Sequence, residues 1–139
     1  MKVGKFFGVL AIAPFFAGAA LAGDAALGEK NFKRCKSCHA ITADDGTKIV
    51  KGGKTGPNLF GVVGRPVASV EGFKYSASMQ AAGDAGLVWD EETLASFVLN
   101  PSAWLKEVLP DPAAKSKMTL KLKKGGEDVA AFLASTSSS

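Results

Sequence analysis

Two cysteines and a histidine lie within five consecutive residues, and they are the side chains of this chain best suited to chemistry. Cys35 and Cys38 are three positions apart, and His39 follows directly. This C-x-x-C-H spacing is typical of the covalent attachment of a c-type haem. The two thiols add to the two vinyl groups of the porphyrin, and the neighbouring imidazole becomes a ligand of the iron. The spacing therefore predicts one covalently attached haem c, with His39 as an axial ligand.

Two other uses of the same residues fit the sequence less well. A thioredoxin-like redox pair follows a strand, and no strand-like run precedes Cys35. A zinc site needs four ligands, whereas His39 is the only histidine and the chain has only two cysteines. Haem attachment is therefore the favoured interpretation of the motif.

The sixth iron ligand must come from elsewhere in the chain. With no second histidine, a strong side-chain ligand would be methionine or lysine. Met79 follows a short serine- and alanine-containing stretch, where it could equally fill a hydrophobic core. Met118 lies in a lysine-rich stretch, where an apolar side chain is unexpected unless it turns inward. Placement favours Met118 and leaves Met79 as the alternative.

The first 22 residues have the pattern of a secretory signal peptide. Lys2 and Lys5 precede an apolar run that ends at Ala20-Leu21-Ala22. The run contains Pro14 and is shorter than the roughly 20 residues that span a bilayer, which disfavours an uncleaved anchor. We expect residues 1–22 to be removed on export to the periplasm.

Removal of this segment changes the charge of the protein. The basic residues fall from 17 to 15 against 13 acidic ones, so the formal net charge falls from +4 to +2. A charge this small does not indicate a nucleic-acid partner. The distribution is more informative, because lysines cluster around the cysteine motif and around Met118. These lysines are Lys30, Lys33, Lys36, Lys48, Lys51, Lys54, Lys115, Lys117, Lys121, Lys123 and Lys124.

Hydrophobic periodicity and N-cap residues predict an all-α domain. The predicted helices run from Asp24 to about Cys35, from Asp90 to about Leu99, from Pro101 to Leu105 or Lys106, and onward from Gly125-Gly126. Residues 23–139 form one domain, in which 135–139 are expected to be a frayed polar tail. The 33 residues between His39 and Phe73 contain seven glycines and no long periodic run. Such a long irregular segment is explained if helices and loops wrap around a haem.

Several ordered motifs show that residues 23 to about 134 resemble the class I c-type cytochromes, most closely the bacterial cytochromes c2. The matching motifs are Gly28 with Phe32, Cys35 to His39, Thr55-Gly-Pro-Asn-Leu59, Gly61-Val-Val-Gly-Arg65, Phe73-Lys-Tyr75, Trp89-Asp-Glu-Glu-Thr-Leu94 and Lys117-Met-Thr119. The resemblance implies the small class I cytochrome c fold. The approach to Met118, residues 108–117, is longer than the corresponding turn of mitochondrial relatives.

The resemblance also implies roles for individual residues. It makes His39 and Met118 the axial ligands, with the Pro57 carbonyl accepting the outer N–H of the imidazole. Such an acceptor fixes the tautomer of the ring and raises its basicity. Three further polar side chains match positions that hydrogen-bond the inner haem propionate: Arg65, Tyr75 and Trp89.

Ligation by a histidine and a methionine closes both axial positions, so the haem stores an electron and is not a catalytic centre. We therefore expect a monomeric, soluble periplasmic one-electron carrier, not an enzyme. The resemblance suggests a cytochrome bc1 complex as electron donor and a photosynthetic reaction centre or terminal oxidase as acceptor. The lysine-rich face would dock on these acidic membrane partners. The alternatives are a haem peroxidase and a gas-binding sensor, each of which needs a displaceable sixth ligand.

Overall fold

Five short helices and one small hairpin form the regular structure of residues 22–137, the part of the chain described by this computed structural model. The helices are α1 (Ala25–Phe32), α2 (Ala77–Asp84), α3 (Glu91–Leu99), α4 (Pro101–Val108) and α5 (Gly126–Thr136). The strands are β1 (Ile41–Thr42) and β2 (Lys48–Val50), which pair antiparallel. The predicted helical architecture is confirmed. The expected signal peptide lies outside the described residues, except for Ala22.

Helices α1 and α5 cross closely and form one side of the core. The Asp24 carboxylate caps the first turn of α1, and the Asp24 N–H donates to Asp128 Oδ1 of α5 at 2.8 Å. Gly28 is needed at the crossing, because a Cβ there would collide with the carbonyl oxygen of Asp128. One turn later the rings of Phe32 and Phe132 meet with their centroids 5.4 Å apart.

Helices α3 and α4 follow one another with only Asn100 between them. Asp90 begins α3 with a capping box, in which its carboxylate accepts from the Thr93 N–H and the Thr93 hydroxyl accepts from the Asp90 N–H. The Asn100 side chain caps α4, and Pro101 is its first residue. Helix α4 continues to Val108, two or three residues beyond the predicted end, and both Val108 and the C-cap Leu109 are partly buried.

Three further differences from the sequence prediction concern α2, the β1–β2 hairpin and α5. Helix α2 was not predicted, because only Ala82 of its eight residues is buried and the apolar periodicity is weak. The β1–β2 hairpin is too short to leave a sequence pattern. Helix α5 runs through Ser135 and Thr136, which were expected to belong to the frayed tail. Their hydroxyls donate to the carbonyls of Phe132 and Leu133 at 2.6 and 2.8 Å, which extends the helix.

An aromatic cluster lies between α3 and α4. The ring of Trp89 stacks on Trp104 at a centroid distance of 5.1 Å and meets Phe97 edge-on at 5.0 Å. All three side chains are buried. Within residues 22–137, the helices are too short or too polar to cross a membrane.

Candidate functional site

A cavity of about 520 Å³ opens between the cysteine motif and segments distant from it in sequence. Its volume is within the usual range for small-molecule and cofactor sites. All eight residues assigned to the site from the sequence line this cavity: Cys35, Cys38, His39, Pro57, Arg65, Tyr75, Trp89 and Met118. The fold therefore brings together residues from the turns after α1 to the irregular segment before α5.

Tight turns after α1 present the cysteine motif to the cavity. Helix α1 ends at Phe32, three residues before the predicted end, and the Cys35 N–H donates to the Phe32 carbonyl at 2.8 Å. The N–H groups of Cys38 and His39 both donate to the Cys35 carbonyl, at 3.1 and 3.0 Å. These bonds fix the three side chains relative to one another.

The two thiols are free and differ in their surroundings. Burial raises the pKa of the Cys35 thiol to about 11, against a smaller opposing effect from Arg34. Cys38 is exposed, and hydrogen bonds from the hydroxyls of Thr55 and then Ser37 lower the pKa of its thiol. These opposite shifts favour the thiolate form, the reactive one, at Cys38 over Cys35.

His39 is buried and held by a single hydrogen bond. Its Nδ1 lies 2.8 Å from the Pro57 carbonyl oxygen, which requires the proton on Nδ1 and leaves Nε2 with a free lone pair. Burial lowers the pKa of the imidazole, while the bond to Pro57 opposes this effect. The ring is therefore neutral at pH 7, the form needed by a metal ligand. Gly56 packs so closely that a Cβ there would overlap the ring.

Both methionines of the described region line the cavity and are half-buried. Met79 belongs to the first turn of α2, and its N–H donates to Ser76 Oγ at 3.2 Å. Met118 lies in irregular chain between α4 and α5, and its N–H donates to Ser116 Oγ at 3.0 Å. Met118 thus turns inward from its lysine-rich stretch, as the sequence placement required.

Arg65 and Tyr75 keep hydrogen-bonding capacity for a ligand. The Arg65 guanidinium donates to the carbonyls of Phe60 and Asn58, at 3.0 and 3.1 Å, which uses two of its five N–H groups. Burial lowers its pKa, but arginine stays charged at neutral pH. The Tyr75 hydroxyl accepts from the Val70 N–H at 3.1 Å and retains its own proton to donate. A cation and a hydroxyl donor are thus available to a partly buried carboxylate.

Trp89 is joined to Arg65 through the backbone. The Trp89 N–H donates to the Arg65 carbonyl at 2.9 Å, beside the isolated bridge between Pro66 and Val88. This pairing fixes the position of the indole at the cavity wall, while its ring packs on Trp104. Trp89 therefore contributes both to the core and to the cavity lining.

The residues present fit a covalently attached haem. The cavity offers two free thiols, an imidazole with an available Nε2, two methionine side chains and donors suited to propionates. Zinc fits poorly, because no three histidine, cysteine or carboxylate side chains of residues 22–137 come close enough together to hold a metal ion. Sequence reasoning missed Gly56 as a support for His39. Its only sequence signal is a glycine directly before the proline.

Comparison with known proteins agrees with this geometry. No protein-family model matches the chain. Cytochrome c2 of Rhodobacter capsulatus is 59% identical over 119 residues, which cover 86% of this chain and 87% of that protein. Cytochrome c-550 of Paracoccus denitrificans is 49% identical over 139 residues, which cover 99% of this chain and 90% of the relative.

Solved structures extend the similarity to three dimensions. The structure of Rhodobacter capsulatus cytochrome c2 superposes with a TM-score of 0.80 at 59% identity, covering 81% of this chain and 97% of that one. Ferric cytochrome c-550 of Paracoccus versutus gives a TM-score of 0.79 at 57% identity, covering 84% and 99%. The chain therefore belongs to the cytochrome c2 family, whose members are electron-transfer proteins that carry one covalently attached haem c.

Proposed function

We propose that this protein is a periplasmic one-electron carrier in which Cys35 and Cys38 hold the haem and His39 and Met118 are its axial ligands. The observation that carries the proposal is the cavity that all four side chains line. The lone pair on Nε2 of His39 is free to bind iron there. The bound haem supplies an iron centre that gains and loses one electron. Two protein ligands leave no open position for a substrate and raise the reduction potential.

The remaining site residues would hold the propionate end of the haem. We infer that Arg65, Tyr75 and Trp89 hydrogen-bond the inner propionate. The proposal is supported by the unused N–H groups of Arg65 and the free proton of the Tyr75 hydroxyl. Burying a carboxylate is costly without such donors, so these three side chains would stabilise the bound cofactor.

Export and processing complete this proposal. We infer that residues 1–22 are removed and that residues 23–139 function in the periplasm. The charged start, apolar middle and small-residue end of the segment support removal. The intact mass of the purified protein tests both points, because it must equal residues 23–139 plus one haem. Retention of residues 1–22 would contradict the proposed processing.

Membrane redox complexes are the proposed partners of the monomeric carrier. A cytochrome bc1 complex would supply electrons, and a photosynthetic reaction centre or cytochrome oxidase would accept them. The eleven lysines named above are all exposed, which supports docking on acidic surfaces. Electron transfer to such a complex should slow as ionic strength rises, because salt screens exposed charges. A rate that is independent of salt would contradict the electrostatic docking.

The choice of sixth ligand is tested by two matched variants. Met118→Ala should open the iron, so that the reduced protein binds carbon monoxide rapidly and the oxidised protein loses the absorption band of methionine ligation. Met79→Ala removes the other methionine of the cavity and should change neither property. The reverse result would assign the ligand to Met79. Rapid binding by the unsubstituted protein would instead support a gas sensor.

A further inference from the structure

Serine hydroxyls hold the backbone next to Met118, although this segment has no helix or strand. Residues 109–125 connect α4 to α5 without regular structure. Four serine hydroxyls hydrogen-bond the backbone of residues 115–118. We call the four serines that carry these hydroxyls the serine clamp: Ser76, Ser78, Ser102 and Ser116. The clamp supplies partners that regular secondary structure would otherwise provide.

The first half of the clamp comes from α2. Ser78 Oγ accepts from the Lys115 N–H at 3.1 Å. Ser76 Oγ, at the N-cap of the same helix, donates to the Lys115 carbonyl at 3.4 Å. Both polar groups of one backbone residue are therefore tied to α2, across 37 and 39 positions of sequence.

The second half of the clamp leads from α4 to the methionine itself. Ser102 Oγ, in the first turn of α4, accepts from the Ser116 N–H at 3.1 Å. Ser116 Oγ then accepts from the Met118 N–H at 3.0 Å. Ser102, Ser116 and Met118 are all half-buried, so water reaches these bonds less easily than it reaches an exposed turn.

We propose that the serine clamp positions Met118 for the iron by fixing the backbone of residues 115–118 against α2 and α4. This inference rests on the proposed function, since it takes Met118 as the sixth ligand. An irregular segment with free peptide groups samples many conformations, and most of them move the methionine sulfur away from the cavity. Each hydroxyl lowers the population of such open conformations. The clamp thereby protects the sixth position from outside ligands.

The experiment uses Ser78→Ala and Ser102→Ala in the mature, haem-loaded protein. The first measurement is the apparent dissociation constant of imidazole, which binds oxidised iron only when Met118 has moved away. Loss of one net hydrogen bond should raise the open population about fivefold, equivalent to about 1 kcal/mol. The apparent dissociation constant should fall by the same factor. Ser102→Thr keeps the hydroxyl and should have the same apparent dissociation constant for imidazole as the unsubstituted protein.

Two controls separate positioning from general stability. Ser135→Ala also removes a hydroxyl bonded to the backbone, but at the end of α5, and should leave imidazole binding unchanged. Hydrogen exchange at the amides of Lys115 and Ser116 reports the bonds directly and should accelerate in Ser78→Ala and Ser102→Ala, respectively. Faster exchange with unchanged imidazole affinity would overturn the proposal, as would unchanged exchange.

A failure of the proposed function has a different signature. If Met118 is not the ligand, Met118→Ala will leave imidazole affinity unchanged even though amide exchange responds to the clamp variants. That result overturns the role of Met118 and the positioning role together. If Met118→Ala raises imidazole affinity and the clamp variants do not, only the clamp proposal fails.

Discussion

Replacing Gly56 by alanine tests whether the close packing around His39 sets the geometry of the site. A Cβ at position 56 would overlap the imidazole, with Nδ1 only 2.5 Å and Nε2 only 2.7 Å away. An ordinary contact needs at least 3.4 Å. The Nε2 atom must therefore retreat by at least about 0.7 Å, unless the Gly56 backbone moves instead. Either shift disturbs the hydrogen bond between Nδ1 of His39 and the carbonyl of Pro57, the residue that follows Gly56.

The magnitude follows from two effects. Overpacking a dense site costs about 1–3 kcal/mol, and the weakened bond between His39 and Pro57 adds about 0.5–1.5 kcal/mol. Gly56→Ala should therefore lower the free energy of unfolding by about 1.5–4.5 kcal/mol. It should also change the visible spectrum, since the Nε2 atom proposed to bind iron is displaced.

Denaturant unfolding and visible spectroscopy measure the two consequences separately. Gly46→Ala is the control, because no atom lies within 4 Å of a Cβ at that position. Its φ of 86° makes alanine strained, at about 1–2 kcal/mol, without touching His39. The control should thus lose stability and keep the spectrum. An unchanged spectrum in Gly56→Ala, with no more loss of stability than the control, would refute the reasoning.

Two further predictions concern the helices that frame the site. Asp90→Ala should lower the free energy of unfolding by about 1 kcal/mol in denaturant titrations, because it removes the N-cap of α3. The N–H and hydroxyl of Thr93 lower the pKa of the Asp90 carboxyl in the folded protein. The carboxylate therefore stabilises the fold fully above its ordinary pKa of 3.8, and this stabilisation is lost as the pH falls through the lowered pKa. The variant should therefore lose less stability than the parent in acid, and equal losses would contradict this linkage. Phe32→Ala should cost about 3–5 kcal/mol in the same titrations, because the buried ring packs on Phe132. The exposed Leu27, on the same helix, should tolerate alanine within about 0.5 kcal/mol, and similar losses for both would argue against the α1–α5 contact.

Local signals explain why several elements could be predicted. Asp24 and Asp90 act within one turn of chain, so their caps are visible in sequence without knowledge of the fold. Helix α2 also has a local cap at Ser76, but only Ala82 is buried, so no apolar periodicity indicates the helix. Its contact with the Lys115 region, 37 positions away, leaves no local pattern either.

The candidate site also has a part that could be predicted from the sequence and a part that could not. The residue types were predictable because covalent chemistry demands a fixed spacing of Cys35, Cys38 and His39. The resemblance then supplied the distant partners, and all of them line the cavity. The close contact of Gly56 with the imidazole was not predictable, because a single sequence does not reveal which glycine approaches which ring.

By itself, the sequence determined the haem-attachment chemistry, the helical class and the two methionine candidates, because local spacing and composition encode these properties. Only the tertiary structure decided which backbone groups hold those side chains. The Gly56 backbone packs against the ring of His39, and serines of α2 and α4 meet the segment before Met118. Those contacts join residues 14 to 37 positions apart. They exist because folding around one cavity brings irregular segments together, and no local pattern specifies that arrangement.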